Sequence, residues 1–536
     1  MKLIHFICVL IVCITINFSC SFSEDKRPNI LFVISDDQSF AHTSFAGARF
    51  VNTPAFDRVA SEGVYFTNFI SSSPGCAPAR SSIVTGRYPW ENEQSGQHWS
   101  SWMKEYVPFV DELQDQGYAT GKTGKGVDPF EYAKNESDSL WRKENAAGVS
   151  HSNLVYNKED LPASGLHDNN YFEDFKHFVE GVRDDKPFFF WFGAYEPHLP
   201  YETGSWKSSG KSLASVEIPQ FLPESDTVRG DLLDYGIEIE WYDNHLSKML
   251  SYLEEIGELD NTVIIVTSDN GMPFPRAKAN CYEYGIHVPF AVRYPKAFPG
   301  NRKVDDLVDF SDLAPTIMDI AQISPKQMKP ISGNSFLDVL TSDKEGFVSQ
   351  ANKYAFSGRE RHSSSRHQNW GYPQRAIRTK DFLLIWNAYP ERWPAGAPQR
   401  IKDETTGELY PVLGIDSLGI HHSEWAFTDI DEILTKNYIV EGHSSAKVSP
   451  YFEMAVAKRP EFELYNIQTD PDCLSNLSGL PKYSEMENML KSSLFEKLIS
   501  TRDARVSGKD PEVFDSYLRY GKIRKFPAPG LKYESL

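Results

Sequence analysis

Residues 71–89 contain a cysteine in a setting that could support nucleophilic chemistry. Cys76 is followed by Arg80, where we expect the chain to leave a loop and begin a helix, and Arg87 lies shortly after. Backbone N–H groups at the start of a helix attract anions, and arginine keeps its charge. The segment therefore predicts a nucleophile beside a sulfate or phosphate group. Burial as an inert structural thiol is the alternative.

Acidic side chains follow two apolar segments, residues 29–35 and 261–268, that are typical of buried parallel strands. Asp36 and Asp37 follow the first segment, and Asp269 and Asn270 follow the second. If the two strands are neighbours in one sheet, these side chains converge on an oxygen-only site suited to Ca²⁺ or Mg²⁺. Neither strand end carries a histidine, which argues against zinc. A solvated turn is the alternative for the Asp36-Asp37 pair taken alone.

A lysine and a histidine follow other predicted elements. Lys125 lies in a glycine-rich run, 117–126, which imitates a phosphate-binding P-loop but has the wrong spacing. Its ammonium is predicted to contact an anion, with a solvated lysine as the alternative. His198 follows an apolar strand predicted at 186–194 and lies between prolines that fix its backbone. This setting predicts a proton donor held in one orientation, with a structural histidine as the alternative.

Residues 358–375 are polar, basic and aromatic within an otherwise acidic chain. This composition predicts a loop that binds a sulfated sugar, with Trp370 or Tyr372 as a ring face. A solvated basic loop is the alternative. The loop's expected substrate contacts are His362, Arg366, His367 and Arg375, with Arg359 and Arg361 adding positive charge.

The overall composition limits the class of protein. The 536 residues carry a formal net charge of −19, which argues against a nucleic-acid binder because duplex recognition needs a basic surface. The length favours two domains, and we place the boundary near residue 371, with a catalytic domain over 24–370 and a smaller domain over 371–536. Alternating strand-like and helical segments predict an α/β fold for the larger domain.

The first 23 residues are predicted to be a signal peptide. Lys2 precedes an apolar run, 3–16, that is too short to span a membrane comfortably. Cleavage after Ser23 gives an exported periplasmic or secreted protein, whereas cleavage before Cys20 adds a lipid anchor. No second apolar stretch of spanning length follows. Three cysteines remain in the mature chain, Cys76, Cys281 and Cys473, either as one disulfide with a spared thiol or as isolated thiols.

The remaining elements are predicted from periodicity and capping. They are helices at 53–63, 107–117, 169–182 and 483–501, and strands at 376–386 and 462–467.

These motifs together resemble those of type I sulfatases of the alkaline-phosphatase superfamily, from Pro28 to about Leu477. Cys76-Ala-Pro-Ala-Arg80 with Thr85-Gly86-Arg87 is similar to the family's Cys-x-Pro-x-Arg signature and its trailing Thr-Gly-Arg. The other matching motifs are Asp36-Asp37, Asp269-Asn270-Gly271, Pro197-His198, Leu464-Tyr-Asn-Ile, Asp470-Pro471 and Asn476-Leu477.

The resemblance implies an alkaline-phosphatase-like large domain with a central, mostly parallel sheet flanked by helices. It also implies a smaller C-terminal α+β domain with an antiparallel sheet that completes the substrate cleft. A maturation enzyme would oxidise Cys76 to formylglycine (3-oxoalanine), whose hydrate attacks sulfur with the help of Ca²⁺. The implied metal ligands are Asp36, Asp37, oxidised Cys76, Asp269 and Asn270; Arg80, Lys125 and Lys278 would offset sulfate charge, and His198 would protonate the leaving group.

Two positions depart from the family pattern. Ala79 stands where serine is common, and Val127 stands where a histidine usually follows the Gly-Lys pair. Residues 269–275 and 372–375 most resemble the heparan N-sulfatase branch, which is also similar to bacterial sulfatases of algal polysaccharides such as ulvan. We expect action on an O-sulfate ester of such a polysaccharide, with N-sulfoglucosamine hydrolysis as an alternative. A phosphatase or phosphodiesterase of the same superfamily and an inactive glycan-binding relative also remain open.

Overall fold

The computed structural model describes residues 27–132, 142–183 and 186–530; the predicted signal peptide, with Cys20, lies outside them. The described strands are β1 (Asn29–Ser35), β2 (Val64–Phe66), β3 (Phe69–Ile70), β4 (Ser100–Ser101), β5 (Ala119–Gly124), β6 (Phe130–Glu131), β7 (Phe188–Gly193), β8 (Thr262–Ser268), β9 (Phe290–Arg293), β10 (Arg302–Val304), β11 (Val308–Asp309), β12 (Ala355–Arg359), β13 (Gln374–Arg378), β14 (Phe382–Asn387), β15 (Ile401–Asp403), β16 (Glu408–Leu409) and β17 (Phe462–Asn466).

The described α-helices are α1 (Pro54–Glu62), α2 (Cys76–Thr85), α3 (Phe109–Asp115), α4 (Tyr171–Gly181), α5 (Asp226–Glu255), α6 (Glu283–Ile286), α7 (Leu313–Ile320), α8 (Leu337–Thr341), α9 (Leu434–Glu441), α10 (Ser449–Val456), α11 (Ser484–Ser500), α12 (Ala504–Ser507) and α13 (Val513–Ser516). None of them combines the length and the apolar character needed to cross a membrane.

The large domain is built on a seven-stranded sheet with the order β10-β2-β9-β8-β1-β7-β5. Only β9 runs antiparallel to its neighbours in this sheet, so the predicted mostly parallel sheet is confirmed. β1 is buried along its whole length, as its unbroken apolar sequence requires for a strand covered on both faces.

Helices cover both faces of this sheet. Ile30, Phe32 and Ile34 of β1 pack towards α2, α3 and α7, whereas Leu31 and Val33 pack towards α1, α4 and α5. The alternation follows from the two-residue period of a strand. The carboxyl ends of the central strands therefore remain as the edge on which polar side chains can collect.

The smaller domain contains a four-stranded antiparallel sheet with the order β12-β13-β14-β17. α11 packs against it through Leu490, Leu494 and Leu498, which share one helix face. The antiparallel sheet of the C-terminal domain is thus confirmed, but β12 lies before the predicted boundary near residue 371. Its sequence, Ala-Phe-Ser-Gly-Arg, lacks the apolar run by which the other strands were predicted.

Two predicted elements differ from the structure. The predicted strand at 376–386 is the hairpin of β13 and β14, because the polar residues 379–381 form the turn between them. α2 begins at Cys76 rather than at Arg80, with Gly75 in an extended conformation before it. Pro78 does not delay the helix, since proline is tolerated in a first helical turn.

Candidate active site

The carboxylates meet because β1 and β8 are neighbours in register. Ser35 pairs with Ser268 in a parallel ladder, so the next residues of both strands lie side by side. The backbone N–H of Asp37 donates to Asp269 Oδ1 at 3.1 Å, and Asn270 Nδ2 donates to Asp37 Oδ1 at 2.8 Å. The predicted convergence of these strand ends is confirmed.

The cluster fits a hard cation. One carboxylate oxygen from each of Asp36, Asp37 and Asp269 lies within 4.8 Å of the other two, and all three residues are buried. Asp36 Oδ1 and Asn270 Oδ1 are buried without a hydrogen-bond partner. Buried acceptors are normally satisfied, so the two orphaned oxygens indicate a missing partner. Three carboxylates and an amide oxygen are the donor set that Ca²⁺ accepts.

Three cations surround the same carboxylates. Lys125 Nζ lies 2.5 Å from Asp36 Oδ2, and Arg80 Nε lies 2.7 Å from Asp269 Oδ2. The third cation is Lys278, whose Nζ lies 2.6 Å from Asp37 Oδ2. Arg80 also donates to the backbone carbonyls of Lys125 and Gly126. The cluster therefore brings together positive groups from three distant parts of the chain.

The pKa values of these buried carboxylates differ. Burial raises the pKa of Asp269 to about 7, with Asp36 adding to the effect and Arg80 and Lys125 opposing it. The pKa of Asp36 is lowered instead: burial would raise it, but Lys125, His198, Arg80 and Lys278 outweigh that effect. A further cation at the cluster would favour the ionised form of all three acids.

Cys76 is the first residue of α2 and is 2% exposed. It lines a cavity of about 470 Å³ together with Asp36, Lys125 and His198. Burial raises the pKa of the thiol to about 11, against the opposing influence of Lys125. The thiolate is therefore scarce near neutral pH, and an unmodified Cys76 is a poor nucleophile. The described cysteines are free, which leaves the isolated-thiol alternative.

His198 reaches the same cavity from the segment after β7. Its Nδ1 lies 2.7 Å from the carbonyl oxygen of Leu199, and its Nε2 lies 3.9 Å from Asp37 Oδ2. Because a carbonyl can only accept, Nδ1 carries a proton and Nε2 is the atom that faces the acidic cluster.

Val127 does not offer a histidine-like function. It is fully buried in the core beside α2 and α3, and its N–H donates to Asn145 Oδ1 at 2.9 Å. His98, which belongs to none of the motifs described above, lines the Cys76 cavity instead. Arg519 Nη1 lies 3.2 Å from His98 Nδ1. Since a guanidinium only donates, neutral His98 carries its proton on Nε2.

The residues predicted to bind substrate separate into two groups. Lys278 and His362 line a cavity of about 300 Å³ that also includes His198. His362 packs against Gly75, where an added Cβ would lie 3.3 Å from its Nδ1. Burial lowers the pKa of His362 to about 3, so the ring is neutral. Both residues lie close to the segment that carries Cys76, and their contacts with substrate stay a prediction.

The predicted substrate contacts of Arg366, His367 and Arg375 are corrected. Arg366 is buried and paired with Asp429 at 2.7 Å, and Arg375 is buried and paired with Asp503 at 2.5 Å. His367 lies 3.2 Å from the carbonyl oxygen of Phe526 and lines neither cavity.

Further members of the basic loop are also buried or paired. Arg359 shares Asp429 with Arg366, Arg361 donates to the carbonyls of Tyr517 and Leu518, and Tyr372 is fully buried. Trp370 lies beside the guanidinium of Arg392. The charges of Arg359, Arg366 and Arg375 are thus neutralised by buried carboxylates, whereas Arg361 is held by backbone carbonyls.

The fold and the site together define a hydrolase of anionic esters. The edge of an alkaline-phosphatase-like sheet holds the acidic cluster and its three cations, and Cys76 lies beside them at the start of α2. A family model described as Sulfatase matches residues 28–323, and a model described as N-sulphoglucosamine sulphohydrolase, C-terminal, matches 277–394. The chain belongs to the sulfatase family and is a sulfuric ester hydrolase.

Individual relatives extend over most of the chain. An ulvan-active sulfatase of Formosa agariphila is 26% identical over 91% of this chain and 80% of its own length. The human N-sulphoglucosamine sulphohydrolase is 23% identical over 90% of this chain and 92% of its own. A solved structure of a protein in complex with its substrate D-glucosamine-2-N,6-O-disulfate has a TM-score of 0.59 at 20% identity, covering 90% of this chain and all (100%) of that one.

Proposed function

We propose that this sulfatase is exported and hydrolyses sulfate esters on a sulfated polysaccharide or oligosaccharide, with an algal polysaccharide such as ulvan favoured. The substrate class is supported by three ulvan-active sulfatases of Formosa agariphila among the relatives. Export is supported by the apolar run at 3–16, which predicts a periplasmic or secreted protein, with lipid attachment at Cys20 as a variant of the same route.

The proposed chemistry needs one modified side chain and one metal ion. A formylglycine-generating maturation enzyme would oxidise Cys76 to an aldehyde, and the addition of water would convert the aldehyde to a geminal diol. One hydroxyl of the diol would attack sulfur, and loss of the proton of the second would expel sulfate and restore the aldehyde. Ca²⁺ held by Asp36, Asp37, Asp269 and Asn270 would lower the pKa of the attacking hydroxyl. The observation that carries the proposal is the position of Cys76 in the cavity that Asp36 and Lys125 also line.

Arg80, Lys125 and Lys278 place positive charge around Cys76, where it can hold the single negative charge of a sulfate ester. An ammonium has three donors, so each lysine can contact a sulfate oxygen while it keeps its carboxylate. Arg80 favours ionisation of Asp269 and holds the backbone of Lys125 in place through two carbonyls. Positive charge fixed in a buried site stabilises the charge that develops on the sulfate oxygens as the ester bond breaks.

His198 is the proposed proton donor for the leaving oxygen. Its Nδ1 proton is committed to the Leu199 carbonyl, so the donor form of His198 is the doubly protonated ring, and the proton on Nε2 is the one that passes to the leaving oxygen. His98 adds a second ring to the cavity, with its Nε2 proton as a donor. We propose that His98 contacts the sulfate or the modified side chain in place of the histidine that Val127 replaces.

Hydrolysis of N-sulfoglucosamine is the second candidate. The match of residues 277–394 to the C-terminal N-sulphoglucosamine sulphohydrolase model favours it, as does the human relative. The same residues would act on an N-linked sulfate, with His198 protonating nitrogen instead of oxygen. Sulfate release from matched O-sulfated and N-sulfated glucosamine separates the two candidates.

The proposal is tested by the mass of the peptide that ends at Arg80 and by sulfate release from a panel of sulfated oligosaccharides. Protein made together with a maturation enzyme is expected to show the aldehyde mass at Cys76 and to release sulfate. Cys76→Ala is expected to lose at least about 10³-fold in turnover, because the attacking group is gone. Cys281→Ala removes another buried thiol and serves as the matched control. An active protein with an intact thiol at Cys76 contradicts the proposal.

A further inference from the structure

The cavity at Cys76 adjoins a second cavity, and the chemistry above uses only the part of it that lies beside Lys278, His98 and His198. The Cys76 cavity, of about 470 Å³, and the second cavity, of about 300 Å³, share His98, Trp99 and His198 in their linings. The second cavity is completed by residues 518–524, here called the C-terminal arm, which contributes Arg519, Lys522 and Arg524.

Arg519 brings a positive charge that no described carboxylate neutralises by an ion pair. Its Nη1 lies 3.2 Å from His98 Nδ1 and 3.3 Å from the carbonyl oxygens of both His98 and His362. Burial lowers the pKa of Arg519 to about 10, so it remains charged at neutral pH. These contacts anchor one side of the guanidinium, and they leave the charge itself available to a ligand in the cavity.

Lys522 and Arg524 add positive charge that a single carboxylate must balance. Lys522 Nζ lies 2.6 Å from Glu424 Oε2, and Arg524 Nη2 lies 2.7 Å from Glu424 Oε1. Arg400 approaches the same carboxylate at 3.5 Å.

The other acids of the second cavity are already compensated. Asp431 is paired with Lys278 at 2.9 Å. Burial and the nearby Glu424 raise the pKa of Glu432 and so weaken its negative charge. The wall formed by the C-terminal arm is therefore cationic within an acidic protein.

Trp99 stands between the two cavities in a constrained conformation. Its φ is 57°, a region that residues with a side chain rarely adopt. Its N–H donates to the Pro129 carbonyl at 3.1 Å, and its carbonyl accepts from the N–H of Tyr520 at 2.8 Å. A Cβ added at Gly521 would lie 2.7 Å from the indole Cγ, so the arm packs directly against the ring. The arm thus fixes an aromatic face that borders both cavities.

We propose that the second cavity is a subsite for a second anionic group of the glycan, a carboxylate or another sulfate, near the sulfate positioned at Cys76. Arg519, Lys522 and Arg524 bind that group, and Trp99 stacks against the sugar between the two anions. The subsite rests on the proposed function, since it orients a substrate of the same active site. It makes the enzyme selective for multiply charged glycans over singly charged ones.

The test compares oligosaccharides that carry one reactive sulfate and either no second anion, a uronate carboxylate or a second sulfate, with 4-nitrophenyl sulfate as a small reference. The measured quantity is the ratio of kcat/KM on each dianionic substrate to that on the monoanionic one. Lys522→Gln and Arg524→Gln are each expected to lower this ratio about tenfold, the effect of one charge-assisted contact. Glu424→Gln releases the same cations and is expected to raise it, while Lys525→Gln on the exposed neighbour is the matched control.

The outcomes separate the subsite from the chemistry. A larger effect with the carboxylate substrate than with the disulfated one identifies a uronate as the bound group, and the reverse identifies a sulfate. Trp99→Ala is expected to raise KM for every oligosaccharide more than for 4-nitrophenyl sulfate. Ratios that stay the same in all three charge variants overturn the subsite even when sulfate is released. Wild-type protein that releases sulfate from no substrate contradicts the proposed function instead.

Discussion

Asp429 and Asp36 are both buried carboxylates beside arginine, yet their oxygens are satisfied to different extents. Asp429 Oδ2 accepts from Arg359 and Arg366 at 2.5 and 2.7 Å. Its Oδ1 accepts from the N–H of Ser363 at 3.0 Å and from Ser365 Oγ at 2.6 Å. Asp36 has Lys125 on Oδ2 and no hydrogen-bond partner on Oδ1.

The difference shows how a structural ion cluster can be distinguished from a ligand site. A carboxylate whose lone pairs are all occupied by hydrogen bonds cannot bind a further ligand. Its removal leaves the surrounding arginines buried without a counter-ion. A carboxylate with an orphaned oxygen has been desolvated without full compensation and keeps a lone pair that a ligand can occupy. By this criterion Asp429 belongs to a structural ion cluster, and the acidic cluster at the end of β1 belongs to the proposed chemistry.

Asp429→Asn gives the largest expected change in stability. The amide would face two guanidinium groups with a donor, and loss of one member of a buried ion pair costs about 3–5 kcal/mol. The free energy of unfolding from urea denaturation measures the effect. The exposed Glu404→Gln is the control and is expected to unfold as the wild type does. A loss below about 1 kcal/mol would place Asp429 among weakly coupled surface charges.

Added Ca²⁺ is expected to stabilise the acidic cluster and leave the Asp429 cluster unaffected. A ligand that binds only the folded state contributes about 2.7 kcal/mol at a hundredfold excess over its Kd. Thermal unfolding with and without Ca²⁺ is expected to show this increment in the wild type and to lose it in Asp36→Asn.

The control for the calcium effect is another buried carboxylate. Asp243 accepts from the N–H groups of Ala55 and Phe56 at 2.9 Å and lies away from the cluster. Asp243→Asn is expected to be less stable than the wild type but to keep the full calcium increment. An equal increment in Asp36→Asn would remove the acidic cluster from consideration as the binding site.

Local sequence predicted the acidic cluster because local rules determine it. Unbroken apolar runs identify buried strands, and the side chains that follow such strands in a parallel sheet lie at one edge. The side chains after β1 and β8 then meet once these two strands are neighbours in that sheet. The signature around Cys76 added the chemical identity of the site.

Local sequence could not predict which arginines bind substrate. Whether a basic side chain binds substrate depends on whether an acid neutralises it, and that acid is often remote. Arg375 and its partner Asp503 are 128 residues apart, and Arg359 and its partner Asp429 are 70 apart. A basic loop and a basic cavity therefore look alike until the chain is folded.

The sequence pattern did not predict α5, and the reason again lies in contacts with remote residues. Its buried face includes Asp231, Asp234 and Glu238 among apolar residues, which interrupts the hydrophobic periodicity that predicts a helix. Asp231 accepts from the N–H and hydroxyl of Thr435, so its burial is satisfied by a residue of α9. Tertiary contacts thus overrode the local pattern.

The change in stability at acid pH is the smallest effect expected, and it tests the contrast between Asp429 and Asp36 most specifically. The two arginines hold the pKa of Asp429 far below its usual range, although burial alone would raise it. A depressed folded-state pKa contributes stability that is fully present above the unfolded value, near 3.9, and is lost as the pH falls below it.

Between pH 6 and pH 3 the wild type is therefore expected to lose roughly 1 kcal/mol of stability from this group, because protonation favours the unfolded chain. Asp429→Asn has no proton to bind there, so the difference in unfolding free energy between the two proteins narrows by that amount as the pH falls. Urea denaturation of both proteins at pH 6 and pH 3 measures the change. If the difference in unfolding free energy stays constant or widens at pH 3, the charge of Asp429 does not stabilise the protein. The contrast with Asp36 would then rest on hydrogen-bond geometry alone.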